Sequence, residues 1–208
     1  MSEPPEVAGS VELVTPGIWH WLVRNSAIGG SPSSSHLIEF SGDCVLVDPI
    51  RLADAELEQL PRPTAIVLTA KCHQRAAWRY RRQFDIPVHM PEGAPQADEE
   101  PDARYGDGDV LPAGLRAVRT PGPEEAHYCL LTDPAEDALI CSDLLMYTDH
   151  LEFVPLRFHD DPDATRVSVR GLLDLSFGLL LLDHGRDQSL QHDCPLFVRR
   201  ATAKHGGR

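Results

Sequence analysis

The chain has 208 residues, 42% of them hydrophobic, enough for one domain with a sizeable two-layer core. Its formal charge of −13 excludes a nucleic-acid partner and disfavours anionic membrane surfaces, because phosphate binding needs a basic face. The longest apolar run, residues 177–182, is too short to span a bilayer, and the opening residues lack the basic and apolar stretches of a leader, so a cytoplasmic protein is expected.

Residues 17–23 and 36–40 read as strands joined by a Gly/Ser-rich loop over 26–35. A further apolar run over 44–48 follows the turn at Ser41, Gly42 and Asp43. A helix over 53–60, a strand over 66–69, a helix over 72–84 and a strand over 87–90 make a βαβ-like passage. Ala76, Ala77, Tyr80 and Phe84 give the second helix its apolar face. Residues 92–109 are acidic and rich in Pro and Gly, the composition of a solvated loop. Strands return at 115–119, 128–131 and 138–141. Asp161 and Pro162 open a helix as N-cap and first helical residue. Its core face would be Ala164, Val167, Gly171, Leu172 and Leu175. A strand over 178–182 ends on Asp183, His184 and Gly185. Residues 1–186 thus form one domain, and 187–208 a tail that is partly disordered or a short helix. Two β-rich halves with helices outside suggest an α+β, four-layer αβ/βα sandwich; periodicity alone leaves other α+β arrangements open.

The five cysteines show no CxxC pair, and three lie in apolar runs where a free thiol behaves as a small hydrophobe. A reduced protein is the simplest reading. Most histidines are scattered without ligand spacing, and Trp19, Trp21 and Trp78 read as packing residues.

The landmarks, in order, resemble the metallo-β-lactamase superfamily in its glyoxalase II-like branch, over about residues 14–186. Val45, Leu46, Val47 and Asp48 resemble its early strand ending in Asp, and Ile66 to Thr69 the strand before its metal loop. Gly108, Asp109, Thr120, Pro121 and Gly122 resemble the approach to its third histidine. Ser142, Asp143 and Leu144 resemble the segment with the bridging aspartate, and Asp183, His184 and Gly185 the Gly-His-Gly segment. The metal loop itself departs from the family's Thr-His-x-His-x-Asp-His. It reads Thr69, Ala70, Lys71, Cys72, His73, Gln74, Arg75.

The resemblance implies ligands for one metal at Ala70, Cys72, Pro123 and Asp143, and for the other at Gln74, Arg75, Asp143 and His184. Ala70 and Pro123 carry no donor, and an arginine cannot ligate a cation. Candidate ligands reduce to Cys72, Asp143 and His184, unless His73 or His127 is recruited from a neighbouring register. No cofactor is therefore expected, with zinc or another divalent metal at low occupancy at most.

Asp143, His184 and His73 are the candidate catalytic groups; Arg75, Cys72 and Lys71 are the candidate substrate- or anion-binding ones. The plainer alternatives are a capping Asp143, a His184 bonded to backbone and a His73 covering the helix start. Cys72 reads as a ligand, a nucleophile or a buried thiol, the last being favoured. Arg75 is expected to stand where a cation would sit and to pair with Asp143. Two functions follow. One is a hydrolase-like protein with most ligands replaced, acting, if active, on a small ester, thioester or related acyl compound. The other is a metal-free protein that holds a small anion or carboxylate in the same cleft.

Overall fold

A computed structural model describes residues 3–95, 98–132 and 138–185. Alternation along its strands decides which layer each side chain serves. Seven strands form the first sheet in chain order: β1 (Glu12–Thr15), β2 (Ile18–Asn25), β3 (Ser31–Phe40), β4 (Asp43–Val47), β5 (Ala65–Val67), β6 (Val88–Pro91) and β7 (Ala103–Tyr105). Pairing is antiparallel as far as β4 and parallel from there to β7. The second sheet holds β8 (Arg116–Arg119), β9 (Tyr128–Leu131), β10 (Ala138–Tyr147) and β11 (Leu151–Phe153), with β12 (Leu179–Gly185) parallel to β10. The helices are α1 (Asp54–Leu57), α2 (Ala77–Phe84) and α3 (Pro162–Leu172).

Val45 and Val47 of β4 face Ile140 of β10 and Leu181 of β12 in the core between the sheets. Their neighbours point the other way. Leu46 packs with Ile66 and Val88 against Ala77 and Tyr80 of α2. On the second sheet Leu139, Cys141, Leu180 and Leu182 turn outward to Leu172 of α3. The result is helix, sheet, sheet, helix: the expected four-layer α+β sandwich.

Several elements differ from the sequence reading for local reasons. The second half of the Ser-rich stretch read as loop, residues 31–35, belongs to β3, because Ser33, Ser34 and Ser35 pair with β2. The Ser35 hydroxyl donates to Asp48 O and accepts from Ile50 N, so the buried polar group is satisfied. The helix read over 72–84 begins as a 3-10 turn, Lys71–His73, and turns α-helical only at Ala77, after Arg75 has entered the left-handed region at φ 38°. β10 runs on to Tyr147, so Asp143 lies within a strand rather than after one. The acidic segment contains β7, and its Glu99 and Asp102 pair with Arg82 and Arg81 of α2 instead of facing only solvent. β1 and β11 were not expected. On α3 the inner face is Thr165, Ser168 and Leu172, while Val167 and Gly171 are exposed. The tail over 187–208, with Cys194, lies outside the described residues.

Gly122 sets the seat of α3 near the site. Its φ is 139°, and a Cβ there would stand 2.2 Å from Thr165 Oγ1 and 2.5 Å from Thr165 N. The Gly122→Ala protein should therefore lose about 2–3 kcal/mol, through overpacking and backbone strain together. Urea unfolding measures this as a lower midpoint at unchanged slope; an unmoved midpoint would refute the close approach.

Candidate functional site

The groups that the sequence singled out meet at one edge of the sandwich. Asp48 follows β4 at φ 46°, in a backbone conformation uncommon for a residue with a side chain. It accepts from Thr69 N at 2.8 Å and from Thr69 Oγ1 at 2.5 Å, which ties the end of β4 to the end of β5. The 3-10 turn presents Cys72 and His73, β10 presents Ser142 and Asp143, and β12 presents Asp183 and His184.

Arg75 is buried, and it pairs with Asp183 rather than with Asp143 as expected from sequence. Nη1 donates to Asp183 Oδ1 at 2.9 Å and Nη2 to Oδ2 at 2.6 Å, the two-pronged geometry a guanidinium favours. Nη1 also donates to the carbonyls of Ser34, at 2.6 Å, and Asp48, at 3.2 Å. The left-handed backbone at Arg75 turns the side chain under the site, so it does not face a ligand.

Two imidazoles complete the cluster. His73 Nδ1 lies 3.0 Å from Asp48 Oδ2, and its Nε2 lies 3.2 Å from Asp143 Oδ2 and 3.5 Å from Asp183 Oδ2. His184 Nδ1 donates to Pro32 O at 2.7 Å, and Nε2 reaches Asp143 Oδ1 at 2.9 Å and Asp183 Oδ2 at 3.3 Å. His184 faces acceptors from both nitrogens, which only an imidazolium satisfies, whereas His73 faces carboxylates from both and also has the Ser142 and Thr69 hydroxyls 2.9 and 3.1 Å from Nδ1. Burial and Arg75 oppose the charge on His73, yet Asp143, Cys72 and Asp48 hold its pKa well above the ordinary value. Burial likewise opposes His184, but Asp183 and Asp143 raise it to about 9. Burial would lift Asp143, and His73 and His184 instead hold it well below the carboxylate range. Asp183 is also depressed, against burial, by Arg75 and the two histidines. Asp48, Asp143 and Asp183 thus balance Arg75, His73 and His184, charge for charge.

Cys72 Sγ donates to Asp143 Oδ2 at 3.4 Å, and burial pushes its thiol up to about 12 despite His73. It keeps its proton, but the residue is exposed at the cleft rather than buried as the plainer sequence reading had it. Lys71 lies at the mouth, where its amide and that of Cys72 both donate to the carboxylate of Glu124 at 3.2 Å. Above the cluster opens a cleft of about 970 Å³. Cys72, Asp143 and His184 line it, Ile28 and Phe158 give it apolar walls, and Lys71 and Arg157 also border it. His127 sits beneath, fully buried, with Nδ1 on Thr120 O and Nε2 without a hydrogen-bond partner.

Among the described residues, two sets of donors lie close enough to share an ion: Cys72, His73 and Asp143, and Asp143, Asp183 and His184. Asp183 and Asp48 were missed as site residues by sequence reasoning. Asp48 was visible only as the end of a strand. Asp183 carried a signal, since it stands where the resembling segment has glycine while a ligand position holds arginine: two departures that together make one ion pair.

No protein-family model matches the chain, and no curated protein does. Solved structures do. A metallo-β-lactamase from Pontibacter korlensis superposes with a TM-score of 0.72 at 13% identity, over 95% of this chain and 99% of the other. A metallo-β-lactamase from Erythrobacter litoralis gives 0.65 at 16% identity, over 94% and 92%. A di-iron-bound form of TTHA1623 gives 0.60 at 21% identity, over 78% and 94%. The chain has the metallo-β-lactamase fold.

The cluster makes two predictions. With metal excluded, Arg75→Ala should cost about 3–5 kcal/mol because it strands Asp183, and adding Asp183→Ala should restore part of that loss. Additive losses in a double-mutant cycle would deny the pair. The second concerns pH. His184, raised from 6.5 to about 9 on folding, stabilises fully below 6.5, and that contribution fades as pH rises through 9. Asp143 and Asp183 stabilise above their ordinary 3.8 and lose this as pH falls below it. Stability should peak between these limits and drop on the order of 2–3 kcal/mol by pH 9.5. His184→Gln should flatten the alkaline limb; an unchanged limb would rule out His184 as its source.

Proposed function

We propose that this chain is a metal-independent binding protein on the metallo-β-lactamase fold, and that it holds a small amphipathic anion in the cleft above Cys72, Asp143 and His184. The observation that carries this reading is the Arg75–Asp183 fork. A dinuclear centre does not fit the residues present. Each candidate set offers three donors, and the two sets share Asp143. Asp183 spends both oxygens on a permanent cation, which repels a second one beside it. His73 is pinned by carboxylates at both nitrogens, and Cys72 keeps its proton.

The same satisfaction removes the usual catalytic roles. A general base needs a free lone pair near neutral pH, and Asp143 instead accepts from His73, His184 and Cys72. What remains open to a ligand is the cleft wall. Lys71 and Arg157 make no ion pair with a carboxylate among the described residues, so each can meet an anion, and Ile28 and Phe158 suit an apolar body. Arg75 takes no part in that contact. Among the described residues no helix is long and apolar enough to cross a membrane. The free thiols of Cys44, Cys72, Cys129 and Cys141 support a reducing, cytoplasmic setting.

Elemental analysis of protein purified without added metal, together with calorimetric titration of octanoate and octanol, tests the reading. The expected result is well under one equivalent of metal, no cleavage of esters or thioesters, and octanoate bound about tenfold more tightly than octanol. Lys71→Ala and Arg157→Ala should each weaken octanoate by roughly three- to tenfold. Near-stoichiometric metal with ester or thioester cleavage would establish instead the acyl-hydrolase activity that the resemblance implies.

A further inference from the structure

We propose that His159 gives the cleft an acceptor for a ligand hydroxyl, so that the anion held there is a hydroxy acid, with its carboxylate at Lys71 and Arg157 and its hydroxyl on His159 Nε2. This rests on the anion-binding reading and narrows its ligand class. His159 lines the cleft beside Arg157 and Phe158. The residue is 8% exposed, and its Nε2 is buried with no hydrogen-bond partner among the described residues. A buried polar atom left unpaired costs free energy, which a ligand recovers by pairing with it.

The neighbours decide which kind of partner fits. His159 Nδ1 lies 2.7 Å from Thr165 Oγ1, and that hydroxyl gives its single proton to Asp161 O at 3.1 Å. Thr165 therefore accepts from His159, and the ring proton resides on Nδ1. Nε2 is left as a lone pair, which a hydroxyl can meet and a carboxylate cannot. Thr165 is fully buried, and a Cβ on Gly122 would stand 2.2 Å from its Oγ1, so close packing holds the hydroxyl in place. The main chain around the ring is anchored too, with His159 N on Leu156 O, Asp160 N on Pro123 O and Asp161 N on Gly122 O. Burial lowers the pKa of the imidazole, against Asp143 and Asp160, which keeps the ring neutral and accepting. Nε2 has no surface of its own, so a side chain must turn aside to admit the ligand. Phe158, 67% exposed with the Arg157 guanidinium 4.5 Å from its ring centre, is the one on that wall that turns most cheaply. Arg157 and His159 are two residues apart, which puts the hydroxyl near the carboxylate, on its second or third carbon.

Calorimetric titration of octanoate, 2-hydroxyoctanoate and 3-hydroxyoctanoate into wild type, His159→Phe and His159→Gln tests the assignment. Wild type should bind one of the hydroxy acids about three- to tenfold more tightly than octanoate. In His159→Phe that ratio should fall to about one, and His159→Gln, which offers a carbonyl acceptor, should keep part of it. Should the variants not fold, nitrogen-15 NMR of the wild-type histidines is the readout: the His159 Nε2 signal should shift with the preferred hydroxy acid and stay in place with octanoate. Equal affinity of wild type for the three acids, a preference that survives His159→Phe, or an Nε2 signal that ignores the hydroxy acids overturns the hydroxyl site and leaves the anion site standing. Failure of all three acids to bind wild type overturns the anion-binding reading, and the hydroxyl site with it.

Discussion

The fork between Arg75 and Asp183 is the interaction on which the rest of the site depends. A buried guanidinium tolerates no other solution: it cannot shed its charge, so burial requires a carboxylate within hydrogen-bond reach. Asp183 supplies it at 2.6 and 2.9 Å, and the Ser34 and Asp48 carbonyls take further donors. Once that pair is set, the remaining charges have few choices. Asp143 must find cations elsewhere and takes both histidines, and those rings are held charged by acceptors at each nitrogen. The backbone carries the cost of this placement, with Asp48 and Arg75 both at positive φ.

A cluster that neutralises itself has a chemical consequence. Acid–base and nucleophilic catalysis draw on groups left poised, with a proton to lose or a lone pair to share. Here Asp48, Asp143, Asp183, Arg75, His73 and His184 each face a partner of opposite charge, while His159, which also lines the cleft, keeps an Nε2 without a partner among the described residues. The floor of the cleft is therefore polar but satisfied, and ligand selection falls to the walls and rim. This is why the proposed function assigns Ile28, Phe158, Lys71 and Arg157 a larger part than the residues that first draw attention.

Much of this was legible in the sequence, for identifiable reasons. Short apolar runs placed every strand but β1, β7 and β11, and five landmarks in order pointed to the fold. Asp143 and His184 were found because the resemblance puts ligands at those positions, and His73 because it neighbours the altered metal loop's ligand positions. What escaped was pairing. Arg75 could be placed where a cation would sit, but three carboxylates converge there, and a one-dimensional pattern does not say which one a flexible side chain reaches. Serines at 33, 34 and 35 read as loop because their hydroxyls usually serve turns; in the sheet Ser35 bonds to Asp48 O and Ile50 N, and Ser33 Oγ accepts from Asn25 Nδ2. The face of α3 was misread because Thr165 and Ser168 are buried through hydrogen bonds, to Asp161 O and Pro121 O, that hydropathy does not register.

The most direct test of the central claim is a crystal structure of the wild-type chain grown in millimolar zinc, with anomalous data at the zinc edge. The account predicts the two-pronged Arg75–Asp183 pair and no anomalous peak among Asp143, Asp183 and His184. A strong peak at that position, with the Arg75 side chain swung away from Asp183, would contradict it.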